Sequence, residues 1–357
     1  MPRASKPVSA AFSSGRRSEP ERHVSTVGII VNPNAGKDIR RLVTPATHTS
    51  DVTKVGIVRR AIVAAAEAGA ERILIAPDTH HLGRRAAEGL DAPVEIVDEP
   101  VTGSRYDTIG AARRFWKEQA GAVIALGGDG TSRDVALGWP DAPLIAISTG
   151  TNNVYPVAVD GTSAGAAAGL IAAGVVSVAD VARRSKKIVV RVDDRDSSVD
   201  DVALVDLAFI DADFIGARAV RDPSTITAVV AAVATPASTG LSSIAGRIHP
   251  IDRWEAGGVF VRLGAGGRRV RVPLAPGSFT TIDVAEVRPL VEGESITLRG
   301  RTILAFDGER DLAVSPDGAV TVRVESSGPL VIDVERTLVR AASTLSFDLP
   351  AEDSHGH

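Results

Sequence analysis

The sequence predicts two structural units: an α/β unit whose parallel sheet is covered on both faces, then a mostly antiparallel β unit. Three observations support this prediction. The chain has 357 residues, enough for two domains of about 150 residues each. Between residues 25 and 157, continuously apolar runs alternate with helical patterns, which is typical of a parallel sheet. After residue 185, short strand patterns are separated by Gly, Asp and Pro, which favours antiparallel pairing.

The elements of the first unit follow from its apolar runs and their spacing. A helix typically joins two parallel strands, and the apolar residues here recur at helical spacing between the runs. The expected strands lie at 26–31, 72–77, 94–98, 122–126 and 142–148, and the expected helices at 54–70, 82–90 and 106–120.

The rest of the chain divides by composition. Residues 158–185 are expected to form a helix between the units, and 186–349 the β-rich unit. Within that unit one helix is expected at 222–234, with Asp222 as its N-cap and Pro223 in its first turn. The polar segments 1–24 and 350–357 are expected to be disordered tails.

Composition and charge exclude several classes of function. The chain has no cysteine, which excludes disulfides, thiol catalysis and Cys-ligated metals. Its 40 Lys and Arg against 44 Asp and Glu give a net charge of −4, so no basic excess favours nucleic acid. No apolar stretch approaches the ~20 residues of a membrane-spanning helix, and no secretory signal is recognisable. We therefore expect a cytoplasmic protein with neither nucleic acid nor membrane as partner.

The most informative segment is Gly127-Gly128-Asp129-Gly130-Thr131, between a buried strand and a helical pattern. Glycine lets the backbone approach a phosphate closely, and N–H groups at a helix start attract anions. The Asp129 carboxylate could accept a proton from a substrate hydroxyl or help to hold Mg²⁺. The structural alternative is a tight turn that needs glycine only for its geometry. A P-loop is excluded, because GxxxxGK[ST] does not occur.

This segment resembles the signature of the NAD kinase and diacylglycerol kinase superfamily, and three further segments agree. Asn32-Pro33-Asn34-Ala35-Gly36 resembles the loop that holds nucleotide phosphates in the lipid and sphingosine kinase branch of this superfamily. Gly150-Thr151-Asn152-Asn153 resembles the Gly-Thr-x-Asn loop of the same branch. Asp307-Gly308-Glu309 is similar to its Asp-Gly-Glu triplet. The combination is most similar to the ATP-NAD kinase-like branch named after acetoin catabolism protein X.

The resemblance implies a Rossmann-like first domain and an ATP-dependent kinase that uses Mg²⁺ and phosphorylates a hydroxyl of a small metabolite. It makes Asp129 the catalytic residue, and we expect a homo-oligomer, a dimer or a tetramer. The implied contacts to nucleotide and phosphate are Asn32, Pro33, Gly36, Gly127, Gly128, Gly130, Thr131, Gly150, Thr151 and Asn152. The candidates for substrate or metal are Asn153, Asp206, Asp307 and Glu309, without a firmly assigned set of metal ligands.

Two departures from the family pattern bear on the acceptor. In Ala203-Leu204-Val205-Asp206, Val205 replaces the asparagine of the NAD kinases, while Asp206 keeps the acid. After Thr235-Pro236, Leu241 stands where those enzymes have a tyrosine. Both changes favour an acceptor other than NAD. An NAD kinase and a nucleotide-binding regulator without catalysis remain the alternative functions.

The secondary motifs also have purely structural interpretations. Asp206 could face the surface, because an unpaired acid inside an apolar strand is costly. Residues 307–309 could be a β-turn with solvated acids, and 235–240 an ordinary polar loop. Thr151 or Asn152 could cap a helix, and Tyr155 is expected in the core.

Overall fold

The computed structural model describes residues 24–36, 49–150, 152–195, 197–212 and 222–344. Apart from Val24, the predicted tails 1–24 and 350–357 lie outside these residues, and so does Thr151. None of the helices in the described ranges is both long and apolar enough to cross a membrane.

The first part of the chain alternates strand and helix, as predicted. Its elements are β1 (Thr26–Val31), α1 (Asp51–Glu67), β2 (Arg72–Ile75), α2 (Leu82–Ala87), β3 (Val94–Ile96), α3 (Arg105–Lys117), β4 (Ala122–Gly127), α4 (Asp129–Gly138), β5 (Pro143–Ser148), α5 (Gly161–Ala172), α6 (Val178–Val181) and β6 (Ala182–Arg184).

The second part is mostly strands. Its elements are β7 (Lys187–Asp194), β8 (Ser197–Ala203), β9 (Asp206–Ile210), β10 (Ile226–Ala231), α7 (Ser242–Gly246), β11 (Gly258–Ala275), β12 (Ser278–Leu290), β13 (Ser295–Arg299), β14 (Thr302–Phe306), β15 (Glu309–Val314), β16 (Ala319–Glu325), β17 (Leu330–Ile332) and α8 (Val334–Ser343).

The first sheet has seven strands in the order β3-β2-β1-β4-β5-β17-β6. Neighbouring strands are parallel except for β6, which runs antiparallel to β17. One face packs against α1, α2, α5 and α8, and the other packs against α3 and α4. Small residues allow α1 and α5 to approach closely: a Cβ on Gly165 would lie 2.2 Å from the carbonyl oxygen of Ala61. The predicted α/β class of this unit is confirmed.

The second unit consists of two antiparallel sheets. A six-stranded sheet has the order β12-β11-β10-β9-β14-β15, and a four-stranded sheet the order β13-β16-β7-β8. A core that includes Phe209, Phe260 and Phe306 contains residues of both sheets. The predicted antiparallel β unit is confirmed.

The prediction of a helix at 222–234 is wrong. Asp222 does cap a turn, accepting a hydrogen bond from the N–H of Ser224, but that turn is a single 3₁₀ turn at Pro223–Thr225. Strand β10 follows and pairs with β9 on one side and β11 on the other. A short apolar run fits a buried strand or a buried helix equally well by its pattern, and the pairing decides between them.

The chain returns to the first sheet at its end. Strand β17 pairs in parallel with β5, and α8 packs against α5. The pattern of the sequence placed these residues within the β unit 186–349, whereas in the structure they complete the sheet of the first unit. A three-residue apolar strand contains no indication of the sheet it joins.

Candidate functional site

The candidate site lies where the strand order of the first sheet reverses. From β1 the chain moves outward through β2 and β3 on one side, and β4 begins the other side. In open α/β sheets, ligands bind at the carboxyl ends of the strands at such a switch point. The loops after β1 and β4 meet here: the Asn32 side-chain Nδ2 donates to the Thr131 hydroxyl at 2.9 Å. The structure therefore brings the Asn32 and Gly127 loops together, as the motifs predict.

The glycine loop leads directly into α4. Gly128 is the N-cap of this helix, and Asp129, Gly130 and Thr131 form its first turn. N–H groups of a first turn have no partner within their own helix, and together with the helix dipole they attract anions. A Cβ on Gly127 would lie 2.3 Å from the Thr131 hydroxyl oxygen, so only glycine fits there. This arrangement suits a phosphate group.

The Asp129 carboxylate is held by the backbone that follows β5. Its Oδ1 accepts hydrogen bonds from the N–H groups of Val154 and Tyr155, at 3.0 and 2.8 Å. Burial and the nearby charge of Asp307 raise the pKa of Asp129 to about 7. A carboxylate with a pKa near neutrality is matched to the work of a general base.

Asp307 is held in a second cradle of backbone amides. It adopts a left-handed conformation with a φ of 49°. Its carboxylate accepts hydrogen bonds from the N–H groups of Leu204, Val205 and Asp206, at 3.0, 2.8 and 3.3 Å. Burial raises the pKa of this carboxyl, while the charge of Arg133 opposes the shift. The Asp307 side chain is thus a half-buried part of the site, bound by backbone amides, and not the solvated acid of an exposed turn.

The remaining acidic candidates differ in burial. Asp206 is buried at the start of β9, so the surface-facing interpretation of this residue is wrong. Val205 contributes its backbone N–H to Asp307, while its side chain is buried in the core together with Tyr155. Glu309 is exposed at the start of β15. The two acids of the triplet therefore have different surroundings.

The Asn32–Gly36 loop is closed by its own side chain and by a buried lysine. Asn32 Oδ1 accepts the N–H groups of Asn34 and Ala35, at 2.9 and 3.2 Å. These two amides are used within the turn. The fully buried Lys54 of α1 donates from Nζ to the carbonyl oxygens of Asn32, Pro33 and Ala35, at 3.1, 2.8 and 2.8 Å.

Lys54 was not among the residues predicted from sequence. The only available indication is a lysine on the apolar face of a helical pattern, which is commonly a solvated residue. Its three carbonyl partners lie on a loop about 20 positions earlier in the chain. Helix α1 thus stabilises the conformation of the Asn32–Gly36 loop through Lys54.

The loop after β5 joins the ends of two strands and also joins the two units. Asn153 Nδ2 donates to the Ser148 hydroxyl at 2.8 Å, and a Cβ on Gly128 would lie 3.0 Å from its Oδ1. Asn152 Oδ1 accepts a hydrogen bond from the Thr239 hydroxyl at 2.7 Å. Segment 235–240 is therefore in contact with the candidate site. Gly150 lies beside Asn153 in the same loop.

Tyr155 lies in the core, as predicted. Its ring is buried, and its hydroxyl is 2.8 Å from that of Ser185. Its backbone N–H, not its ring, contacts Asp129. A single sequence does not indicate which backbone N–H group will bind the Asp129 carboxylate.

A charged cluster one helical turn beyond Asp129 also connects the units. Arg133 donates to Asp201 at 2.6 Å, to Asp311 at 3.1 Å and to the carbonyl oxygen of Val202 at 2.6 Å. Its guanidinium lies 4.1 Å from the centre of the Phe306 ring, directly before Asp307. Arg105 and Asp134 complete the cluster. It fixes α4 relative to β8 and β14.

The carboxylates of the site are of the kind that binds Mg²⁺ together with phosphate oxygens. Mg²⁺ is commonly bound by one or two carboxylates together with substrate phosphates and water. Asp129 and Asp307 are the two carboxylates available, each oriented by backbone amides. Within the described ranges, no group of three or more His, Cys, Asp or Glu residues could hold a metal.

The comparisons with known proteins agree with this geometry. Residues 27–175 match the ATP-NAD kinase N-terminal domain, and residues 186–327 match the acetoin catabolism protein X C-terminal domain. Acetoin catabolism protein X of Cupriavidus necator is 39% identical over 322 residues, covering 86% of this chain and 90% of that protein.

Two solved structures match most of this chain, and the first of them is similar in fold. Yeast NADH kinase, complexed with NADH, has a TM-score of 0.50 and 14% identity, covering 93% of this chain and 91% of that one. An NAD kinase from Archaeoglobus fulgidus in complex with ATP has a TM-score of 0.36 and 14% identity, covering 91% of this chain and 100% of that one.

Proposed function

Because this chain belongs to the acetoin catabolism protein X family of NAD-kinase-like proteins, we propose that it is an ATP-dependent kinase acting on a hydroxyl of a small hydroxylated metabolite. The observation that carries the proposal is Asp129. It begins α4 beside the anion-attracting first turn, and its pKa of about 7 suits a base. A turn that needed glycine alone would not require a carboxylate held by two backbone N–H groups.

In the proposed reaction, the phosphates of ATP lie at the N-terminus of α4, near Asn32 and Thr131. Asp129 accepts the proton of the acceptor hydroxyl while the oxygen of that hydroxyl bonds to the γ-phosphorus. The bond from that phosphorus to the β,γ-bridging oxygen breaks, and ADP leaves. Mg²⁺, which would be held by Asp307 and the phosphates, would neutralise charge that develops during transfer, and Asp129 would remain available to accept the proton.

The acceptor side supports a metabolite other than NAD. The side chains of Val205 and Leu241 are both buried in apolar cores, so neither presents a polar group. Where an enzyme binds its substrate through polar groups, loss of those groups can lower its preference for that substrate by up to ~10⁴-fold. NAD kinase activity remains the second candidate. A homo-oligomeric assembly and a cytoplasmic location stay predictions of the sequence.

The proposal is tested by following ADP release from ATP and Mg²⁺ with a panel of hydroxylated metabolites that includes NAD. We expect turnover that depends on one acceptor and falls at least ~100-fold in Asp129→Asn. Asp91→Asn is the matched control, because Asp91 is an exposed carboxylate just before β3. Nucleotide binding without turnover on any acceptor would favour a regulator, and unchanged turnover in Asp129→Asn would remove Asp129 from catalysis.

A further inference from the structure

Arg253, in the loop between α7 and β11, connects the β-rich unit to the backbone that holds Asp129. Its Nη2 donates to the carbonyl oxygens of Val154 and Tyr155, the latter at 3.1 Å. These are the same two residues whose N–H groups bind the Asp129 carboxylate. The Arg253 guanidinium therefore binds the carbonyl groups, and the Asp129 carboxylate the N–H groups, of the same two residues.

The peptide group between Val154 and Tyr155 lies between two opposite charges. Its carbonyl oxygen accepts from Arg253, and its N–H donates to Asp129 Oδ1. A cation at the carbonyl polarises the peptide and strengthens its N–H as a donor. Hydrogen bonds to charged groups are also the stronger class in proteins. Arg253 thus acts on the orientation of Asp129 through one peptide.

The guanidinium is itself held from two sides. It lies 5.6 Å from the centre of the buried Tyr155 ring and 5.8 Å from that of Trp254. Trp254 is contacted by a second arginine, Arg183, at 4.5 Å. The arginine loop begins at Ile251, whose backbone pairs with Ala234 of the β-rich unit. The orientation of the Asp129 carboxylate therefore depends on where the β-rich unit places Arg253.

We propose that Arg253 is a positioning residue that orients Asp129 through the Val154–Tyr155 peptide, so that the base is aligned only when the two units are docked. The proposal rests on the proposed kinase function for its catalytic consequence. Its structural part, the dependence of the 154–155 segment on Arg253, stands without it.

The test compares Arg253→Gln, Arg253→Lys and Arg183→Gln in the full chain. Arg183 is the matched control, since it stacks on Trp254 from a different element. The first readout is hydrogen–deuterium exchange of the amides of Val154 and Tyr155, which requires no activity. The second is kcat and the KM for ATP on the acceptor identified above.

We expect exchange of the two amides to rise at least ~10-fold in Arg253→Gln and to stay unchanged in Arg183→Gln. Because a small misplacement of a catalytic group can cost ~100-fold, kcat should fall 10- to 100-fold while the KM for ATP stays within about twofold. Arg253→Lys keeps the charge without the planar fork and should be intermediate in both readouts.

Equal exchange in Arg253→Gln and Arg183→Gln would overturn the proposal, even if kcat fell, because the effect would not pass through the peptide. If Arg253→Gln does not fold, Arg253→Lys against Arg183→Gln decides by the same criterion. If the wild type turns over no acceptor, the proposed function fails, but the exchange measurement still decides whether Arg253 holds the segment.

Discussion

Replacing Asp129 by asparagine should stabilise the protein while it abolishes activity. Asp129 Oδ1 accepts the N–H groups of both Val154 and Tyr155, and Oδ2 makes only a second, longer contact with the Val154 N–H, so an asparagine with its carbonyl oxygen at the Oδ1 position can keep both hydrogen bonds. The pKa of this carboxyl is raised from 3.8 to about 7, so the folded state binds its proton more tightly than the unfolded state. Folding stability therefore falls as pH rises from about 4 to about 7.

The magnitude follows from the shift. One pH unit of pKa shift is worth about 1.4 kcal/mol, and the shift spans about three units. The wild type should thus lose up to about 4 kcal/mol relative to Asp129→Asn by pH 7, with no further loss above it. Below pH 4 the two proteins should be equally stable.

Urea unfolding followed by tryptophan fluorescence, at pH 4, 5, 6, 7 and 8, measures this difference. Asp91→Asn is the control and should follow the wild type, because Asp91 is exposed. A stability difference that does not change between pH 4 and pH 7 would refute the reasoning that burial and the Asp307 charge raise this pKa. It would also weaken the case for a base tuned to neutral pH.

Three further outcomes are expected. Lys54→Met leaves three carbonyl oxygens without the donor that Lys54 provides, so it should lower the free energy of unfolding by about 3 kcal/mol or more. It should also raise the Kd for ATP, measured by calorimetry. The control Lys117→Met, at an exposed lysine, should change neither quantity. Gly127→Ala should displace Thr131 and weaken ATP binding at least ~10-fold in the same measurement, whereas Gly56→Ala, where a new Cβ meets only a flexible arginine at 3.6 Å, should not. The kcat/KM for NAD should stay below roughly 10⁴ M⁻¹s⁻¹ in steady-state assays, and a higher value would restore the NAD kinase interpretation.

The parts of this molecule that depend on local pattern were predictable. A buried run such as 122–126 can only be a strand or a core helix, and the glycines after it indicate a strand entering a tight turn. Because the carboxyl ends of parallel strands share an edge, the loops at Asn32 and Asp129 were expected to meet, and they do. The wrong prediction of a helix at 222–234 has the same origin, because an apolar composition alone does not decide between a strand and a helix.

The contacts that hold the candidate base were not predictable. Arg253 reaches a segment 99 residues earlier, and the segment uses its peptide groups, which any residue possesses. Lys54 is similar, because its partners are backbone carbonyls of a loop that precedes α1. A single sequence carries periodicity and turn chemistry, but it does not show which distant backbone a long side chain will reach.

The return of β17 and α8 to the first sheet has a consequence for how the protein is made. Strands β5 and β6 are both bonded to β17, which is near the end of the chain. During synthesis the ribosome must therefore finish the whole β-rich unit before the first sheet can close. Until then, the carbonyl oxygen of Ala142, the residue just before β5, lacks the N–H donor that Leu330 later provides, and the face that Ile332 covers stays open. The nascent α/β unit thus presents an unfinished sheet edge while the β-rich unit is translated, when the demand for chaperones should be greatest.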